Sequence, residues 1–302
     1  MYDIIIGRSV NKRKITIVIA TLLIVEFIAV IGGIKFADHK YAKEEAIKLQ
    51  EKVAKIEQAE AEKKAEKERE EQAKIQERIQ KTSQPFNEEQ QYNILHIYKS
   101  DTKRVFLTFD DGPSETVTPL ILDLLKEENV PATFFTLGTN VKRHPEIVRR
   151  EFDEGHYVAN HGYSHKYSAV YASPQATFDE YNYTENAIKE ALGNENYRSN
   201  LFRFPGGSNG GYYNSLKQES KALLRENGIV HLDWNCLSKD AEGAHSTESL
   251  IQNIKDTADG KYSVVVLMHD SSDKILTYES LKEVINYFRE NGYEFKNIYD
   301  II

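Results

Sequence analysis

The stretch VFLTFDDGP, residues 105–113, joins an apolar run to two adjacent carboxylates and a Gly-Pro turn. The run Val105–Phe109 has the length and the β-branched and aromatic content of a buried strand. Asp110 and Asp111 follow it directly, so the two carboxylates lie where the strand ends. Because successive side chains of a strand point to opposite faces, we expect these two residues to serve different roles.

Apolar, strand-like runs alternate with amphipathic, helix-like segments through the rest of this region. The strand candidates are Val105–Phe109, Ala132–Leu137, Tyr157–Asn160, Leu201–Phe204, Ile229–Trp234 and Val264–Met268. The helix candidates are Val117–Glu128, Pro145–Glu154, Pro174–Leu192, Asn214–Asn227, Thr247–Asp259 and Leu276–Asn291. This alternation predicts parallel βα units, and therefore an α/β barrel or an open α/β sheet. In such folds, catalytic side chains gather at the C-terminal ends of the strands.

Four further polar segments follow strand candidates, and each carries side chains suited to catalysis. They are His161–His165 (HGYSH), Arg203–Gly207 (RFPGG), Trp234–Asp240 and Leu267–His269. Taken alone, each segment is weak, since Asp-Asp-Gly-Pro is more often a plain turn and a single histidine at a strand end is usually only a polar terminus. Their order and their common position after strands favour one shared site.

In order and completeness, these five segments resemble the motifs of the polysaccharide deacetylase (NodB-homology) family of carbohydrate esterases. The resemblance covers the chain from about Arg104 to Tyr293. It implies a distorted, incomplete (β/α) barrel that uses a divalent metal to remove acetyl groups from N-acetylated sugars. It also implies zinc as the usual metal, with Co²⁺, Mn²⁺ or Ni²⁺ as alternatives.

The metal ligands indicated by the residue types are Asp111, His161 and His165. The His-x-x-x-His spacing places two imidazoles on one side of a helical turn, close enough for one ion. Together with the carboxylate of Asp111, they form a set that leaves coordination positions open for water and substrate, as a catalytic zinc site requires.

The resemblance implies roles for the remaining polar residues. Asp110 would accept the proton of the attacking water, and Arg203 would orient Asp110 and keep it ionised. An ordinary salt bridge is the alternative role for Arg203. His269 would protonate the leaving amine, with Asp240 holding its ring and raising its basicity.

The same resemblance implies the groups that bind the substrate. The backbone N–H of Gly206, just after Pro205, would donate to the oxyanion, while Trp234 and Leu267 would line the pocket for the acetyl methyl group. Three positions depart from the family pattern: Gly162 replaces the usual Ser or Thr, Gly206 replaces a common aromatic residue, and Ala241 stands where a tryptophan often follows the Asp240 position. We therefore expect a missing loop-fixing hydrogen bond and a more open groove, which affect substrate specificity more than activity.

The N-terminus carries a basic segment, residues 1–14, followed by an apolar segment, residues 15–36. The run Ile15–Ile34 is about long enough to cross a bilayer and contains one ionisable residue, Glu26. Because Arg and Lys precede it, the positive-inside rule keeps the N-terminus in the cytoplasm and exports the rest. A cleaved signal peptide is the alternative, although it needs a shorter apolar core and a small-residue cleavage site. We expect a single-pass protein of the cell membrane with an extracytoplasmic catalytic domain.

Residues 37–81 are rich in Glu, Lys, Ala and Gln and contain no Gly or Pro. Their few large apolar residues are too sparse for a sustained heptad seam. We expect a solvated helical stalk whose self-association is at most weak, and a partly disordered segment is the alternative. Residues 82–91 are then a linker, and residues 92–302 are the catalytic domain.

Composition excludes some classes of function. The net charge of −8, with no basic stripe in the globular part, argues against nucleic acid as a partner. The single cysteine, Cys236, excludes an intramolecular disulfide. From about Gln91 onward the composition is ordinary for a globular protein, and the length is ample for a buried core.

The function we expect is metal-dependent hydrolysis of N-acetyl groups from amino sugars of a cell-wall polysaccharide. GlcNAc or MurNAc of peptidoglycan is favoured, because a membrane stalk suits an immobile polymer beside the cell. A chitin or chitooligosaccharide deacetylase, or an acetylxylan esterase of the same fold, is one alternative. A non-catalytic wall-binding or scaffold protein is an alternative of another class.

Overall fold

The computed structural model of the chain describes residues 36–243 and 245–302. The α-helices are α1 Phe36–Lys81, α2 Glu88–Leu95, α3 Thr118–Glu128, α4 Gly138–Arg143, α5 Pro145–Asp153, α6 Tyr167–Val170, α7 Pro174–Leu192, α8 Asn214–Glu226, α9 Thr247–Ala258 and α10 Ile275–Glu290. The strands are β1 Arg104–Asp110, β2 Ala132–Thr136, β3 Tyr157–Asn160, β4 Leu201–Phe202, β5 Val230–His231, β6 Cys236–Leu237, β7 Ser263–His269 and β8 Glu294–Phe295, and a 3₁₀ turn covers Ile298–Asp300.

The strands form one parallel sheet in the order β5-β4-β3-β2-β1-β7-β6. Strand β8 pairs with the first two residues of β1, before the pairing of β1 with β2 begins at Leu107↔Ala132. Among the described residues, the edge strands β5 and β6 do not pair with each other, so the barrel is incomplete. The α/β fold predicted from the alternating pattern is confirmed, and the parallel sheet is the incomplete barrel that the resemblance implies.

Strand β1 lies at the centre of the sheet and supplies both core layers. Val105, Leu107 and Phe109 pack with the apolar faces of α3, α9 and α10. Phe106 points to the other face and packs with Phe135 and with the apolar residues of β3. Because every residue of β1 after the first is buried, the strand has the continuous apolar run that is typical of parallel sheets.

Each of the predicted strands and helices corresponds to an observed element, and the ends differ by at most three residues. The two-residue strands β6 and β8 were outside the prediction because two residues show no periodicity. The short helices α2, α4 and α6 were not predicted either, because they are too short to show a clear helical period. None of the three is longer than eight residues.

The chain divides between Ala73 and Lys74 into two compact units. In the first unit, the described residues form the long first part of α1, and their described side chains are largely exposed. This is the solvated helix that the composition predicts. In the second unit, Ile75 and Ile79 from the last turns of α1 pack against the core.

Residues 82–91, predicted as a linker, lie within the second unit. Phe86 is buried in its core, and Asn87 caps α2 by accepting a hydrogen bond from the backbone N–H of Gln90 at 2.9 Å. The compact unit therefore starts before residue 92, because the last turns of α1 and the segment after them bury apolar side chains.

No helix in the described ranges is long and apolar enough to cross a membrane. The predicted span at residues 15–36 lies outside those ranges except for Phe36, as does the basic segment at residues 1–14. The membrane anchor therefore stays a prediction.

Candidate active site

Four of the predicted site residues lie at the C-terminal ends of strands. Asp110 and His269 are the last residues of β1 and β7 and are paired in the register of those strands. His161 directly follows β3, and Arg203 directly follows β4. Parallel strands carry their C-terminal ends to one edge of the sheet, so the fold gathers these side chains at one place.

Asp111, His161 and His165 present three ligand atoms within 4.8 Å of one another. Oδ1 of Asp111 lies 3.4 Å from Nε2 of His161 and 3.3 Å from Nε2 of His165. This oxygen is buried, and no donor in the described part of the chain reaches it. Asp111 has a φ of +72°, so it leaves the strand conformation and turns its carboxylate toward the site. Strand alternation is therefore not what separates the two carboxylates, because only Asp110 belongs to the strand.

His161 is held as a neutral ligand. Its Nδ1 lies 2.8 Å from the carbonyl oxygen of Arg203, which places the proton on Nδ1 and leaves a lone pair on Nε2. Burial lowers the pKa of His161 to about 3, against the opposing charge of Asp111. Two acceptors then face each other, which is unfavourable unless a cation lies between them. One carboxylate oxygen and two imidazole nitrogens fit a divalent metal and leave positions for water and substrate.

The segment between the two histidines is an irregular loop. Gly162 and His165 have φ angles of +84° and +55°, which no α-helix contains. The carboxylate of Glu180, from α7, accepts hydrogen bonds from the backbone N–H groups of Tyr163 and Ser164, both at 2.7 Å. The prediction of a helical turn is therefore wrong, because a carboxylate from another helix holds this loop and brings the imidazoles together.

The loop is also fixed at the position where Gly162 replaces a hydroxyl residue. The N–H of Gly162 donates to Oδ1 of Asn160 at 2.9 Å, and Asn160 donates to the carbonyl of Tyr181 at 2.9 Å. The hydroxyl of Ser164 donates to Glu180 at 2.8 Å. These bonds compensate for the hydrogen bond whose loss the sequence predicts.

Asp110 is buried, with 2% of its surface exposed, and its two carboxylate oxygens have different surroundings. Oδ1 accepts a hydrogen bond from Arg203 at 2.7 Å, whereas Oδ2 lies 3.8 Å from Nε2 of His161. Burial raises the pKa of Asp110, and the charge of Arg203 opposes that rise. Within residues 36–243 and 245–302, no group donates a hydrogen bond to Oδ2, and a carboxylate with a raised pKa and such a free oxygen is suited to accept a proton.

Arg203 is fully buried and ties Asp110 to the sheet. Its guanidinium also donates to the hydroxyl of Thr108 at 2.7 Å. It donates further to the backbone carbonyls of Leu232 and Asp233 at 3.0 and 3.1 Å. Arg203 is therefore part of a connected buried network rather than an isolated salt bridge.

His269 and Asp240 form a second pair on the other side of Asp110. Nδ1 of His269 lies 2.8 Å from Oδ1 of Asp240. Oδ2 of Asp240 accepts hydrogen bonds from the backbone N–H of His269 at 2.7 Å and from the hydroxyl of Thr277 at 2.9 Å. Burial lowers the pKa of His269, but the hydrogen bond and charge of Asp240 outweigh burial and raise the value to about 9. At neutral pH the ring is protonated, so its Nε2–H is available to a substrate.

The predicted wall residues border this site. The ring of Trp234 lies 5.7 Å from the Arg203 guanidinium. A Cβ on Gly207 would come within 3.2 Å of the same ring. Leu267 is buried in β7 two positions before His269, so both side chains are on one face of the sheet.

The structure does not show the predicted opening of the groove at Gly206. The hydroxyl of Tyr167 fills that space, since a Cβ on Gly206 would come closer than 3.0 Å to it. Pro205 is held by a hydrogen bond from the hydroxyl of Tyr171 to its carbonyl at 2.7 Å. The backbone N–H of Gly206 has no acceptor in the described ranges, so it is free to bind a substrate oxygen.

The sequence patterns missed Glu180, Tyr167 and Asp270, all of which shape the site. Asp270 is fully buried beneath Gly112, and its carboxylate accepts a hydrogen bond from the hydroxyl of Thr118 at 2.6 Å. A Cβ on Gly112 would come closer than 3.0 Å to that carboxylate. Burial raises the pKa of Asp270 to about 7. Asp270 and Tyr167 lie next to predicted motifs, so their positions could have indicated a place in the site. Glu180 lies in a helix far from the motifs in sequence, and nothing in its local pattern pointed to the site.

Comparisons with known proteins agree with this geometry. The sequence profile of the family described as polysaccharide deacetylase matches residues 98–226. The peptidoglycan-N-acetylglucosamine deacetylase PgdA of Listeria monocytogenes is 35% identical over 196 residues, which are 65% of this chain and 38% of that protein. The chain therefore spans less than half the length of that relative.

Two further relatives match over more of their own length. The putative polysaccharide deacetylase YheN of Bacillus subtilis is 33% identical over 216 residues, which are 69% of this chain and 73% of that protein. The solved structure of a Streptococcus mutans CE4 esterase superposes with a TM-score of 0.61 at 32% identity and covers 70% of this chain and 91% of that one. With its sequence, its incomplete parallel barrel and its site in agreement, the chain belongs to the polysaccharide deacetylase family.

Proposed function

We propose that this chain is a divalent-metal-dependent N-deacetylase of peptidoglycan that acts on GlcNAc or MurNAc residues. The observation that carries the proposal is that two ion pairs lie beside one set of metal ligands. One pair holds an unprotonated carboxylate, and the other holds a protonated imidazole. Asp110 with Arg203 supplies the base, and His269 with Asp240 supplies the acid. The match to the Listeria deacetylase supports peptidoglycan as the polymer.

Asp111, His161 and His165 would hold the ion. A bound divalent ion would polarise the acetyl carbonyl and lower the pKa of the attacking water. Zinc is the metal we propose, since imidazole and carboxylate ligands with open positions suit it, with Co²⁺, Mn²⁺ and Ni²⁺ as alternatives.

The two pairs move the protons. Oδ2 of Asp110 accepts the proton of the water, because Oδ1 is already bound to Arg203. Nε2–H of His269 donates a proton to the leaving amine, because Nδ1–H is directed to Asp240. The amide C–N bond then breaks, and acetate and the free amino sugar are formed.

We further propose that residues 15–36 anchor the chain in the cell membrane and that residues 37–81 carry the catalytic domain toward the wall. The basic residues before the apolar run support this orientation. The full-length chain should stay in the membrane fraction, and external protease should remove the domain from cells whose wall has been stripped. A soluble, N-terminally trimmed product in the medium would replace the anchor with a cleaved signal.

The substrate is tested by mass spectrometry of glycans after incubation with the purified full-length chain and Zn²⁺. Peptidoglycan fragments, chitooligosaccharides and acetylated xylan are compared, and fragmentation shows whether GlcNAc or MurNAc loses its acetyl group. Faster release from chitooligosaccharides or xylan would contradict the peptidoglycan assignment. Release from none of them by metal-loaded protein would indicate a non-catalytic wall-binding protein.

A further inference from the structure

Tyr167, the first residue of α6, occupies a place beside the site that no predicted role explains. Its hydroxyl fills the space above Gly206, closer than 3.0 Å to the position a Cβ would take. Its ring lies 5.7 Å, centroid to centroid, from the ring of the ligand His165. In the described part of the chain, no group forms a hydrogen bond with this hydroxyl, and 41% of the residue's surface is exposed to solvent.

The ring of Tyr167 is held by its neighbours. It packs edge-on against Tyr171 and Tyr213, with centroid separations of 5.7 and 6.5 Å. Tyr171 is itself buried and bonded to the carbonyl of Pro205. The hydroxyl of Tyr167 is therefore fixed relative to the turn that carries Gly206.

Two unpaired donors, the hydroxyl of Tyr167 and the backbone N–H of Gly206, thus lie at one place. Standard bond lengths put the nitrogen of a residue about 2.5 Å from its Cβ, so the two donors are within about 5.5 Å of each other. Two donors that share one acceptor oxygen lie at most about 6 Å apart. The spacing is therefore right for a single oxygen bound by both.

We infer that Tyr167 is a catalytic residue that donates a hydrogen bond to the oxyanion formed from the acetyl carbonyl, together with Gly206. The inference rests on the proposed deacetylase function. When water adds to the carbonyl carbon, the C=O π pair moves to the oxygen and the proton of the water goes to Asp110. Tyr167 keeps its proton, as a phenol does near neutral pH, and stabilises the new negative charge.

This role also explains the glycine at position 206. A side chain there would push the hydroxyl of Tyr167 away, so Gly206 and Tyr167 depend on each other. Tyr167→Phe and Gly206→Ala should therefore remove the same interaction, and the double variant should lose little more than either single one.

The test compares Tyr167→Phe with the wild-type full-length chain loaded with Zn²⁺. We expect kcat to fall roughly 10- to 100-fold with KM within about twofold, the loss being moderate because water can replace an exposed donor. Metal content by elemental analysis should be unchanged. Tyr262→Phe is the matched control and should behave as wild type, since Tyr262 directly precedes β7 and is 54% exposed.

A second measurement avoids turnover. A methylphosphonamidate analogue of the acetylated amino sugar carries two oxygens on a tetrahedral phosphorus, as the carbonyl carbon does in the transition state. Calorimetry should show this analogue binding Tyr167→Phe more weakly by about the factor lost in kcat/KM. Normal kcat and normal analogue binding in Tyr167→Phe, or a change in KM alone, would overturn the inference. An inactive wild-type protein would instead overturn the proposed function, so the two failures are distinct.

Discussion

Replacing Asp240 with Asn should move the basic limb of the pH–rate profile to lower pH. A protonated His269 is the acid, so activity is lost at high pH as His269 loses its proton. In the wild type the pKa of His269 is raised to about 9, chiefly by the hydrogen bond and charge of Asp240 acting against burial. Asparagine keeps the size of the side chain but removes the charge. Burial then lowers the pKa of His269, and only the charges of Asp110 and Asp111 still oppose it, so the pKa should fall.

The size of the effect follows from the two pKa values. The ordinary value for His is 6.5, so removing the charge of Asp240 should lower the pKa of His269 by roughly two to three units, or about 3 kcal/mol. At pH 8 the protonated share of His269 would fall from about nine-tenths to below about one-tenth, a loss of roughly 10- to 30-fold in kcat/KM. At pH 6 the variant should recover most of that loss, because the imidazole is then largely protonated in both proteins.

The assay measures kcat/KM for deacetylation from about pH 5 to about pH 10, a range that covers both limbs of the profile. Metal content is measured in parallel and should match the wild type, since Asp240 is not a ligand. Asp256→Asn, an exposed carboxylate on α9, is the matched control and should leave the profile unchanged. If Asp240→Asn lowered the rate equally at every pH, the charge of Asp240 would not set the pKa of the acid.

Three further predictions address the other groups. Asp110→Asn should keep the metal and lower kcat by roughly 10²- to 10⁴-fold. His161→Ala should lose the metal itself, as elemental analysis would show. Normal turnover in Asp110→Asn would refute the role of Asp110 as base. His269→Ala should reduce hydrolysis of amides more than that of aryl acetates, because a phenolate leaves without protonation, and equal losses would exclude His269 as the acid. Chelation should abolish turnover and lower the melting temperature, and Zn²⁺ should restore both; full activity in metal-free protein would contradict the ligand assignment.

Much of the fold could be predicted because its central elements are long and strongly patterned. Strands β1 and β7 each have seven residues, and their apolar runs end at polar residues of the site. In parallel βα units the C-terminal ends of the strands lie at one edge of the sheet, so the grouping of Asp110 with His269 follows from the order of elements. Two-residue strands such as β6 lack a local pattern, and only their pairing with β7 creates them.

The local geometry of the ligands was harder to predict, because it depends on contacts between residues far apart in sequence. Sequence spacing alone favours a helical turn for His161 and His165. The loop forms instead because Glu180, a buried carboxylate in α7, accepts hydrogen bonds from the backbone N–H groups of two loop residues. A glycine at position 206 suggests empty space, but Tyr167 from another segment fills it. In both cases a distant side chain decides the outcome, which local periodicity does not encode.

The two ion pairs show how one site holds a base and an acid at the same pH. Burial favours the neutral form of both Asp110 and His269, so it raises the pKa of the carboxyl and would lower that of the imidazole. The net shift of each pKa then depends on the charged partner, Arg203 for Asp110 and Asp240 for His269. Arg203 offsets the burial of Asp110 only in part, so the carboxylate stays a better proton acceptor than an exposed one. Asp240 more than offsets the burial of His269, so the imidazole keeps its proton. A bound cation would weaken the pull of Asp110 and Asp111 on His269, but Asp240, hydrogen-bonded to the ring, would still hold the acid protonated.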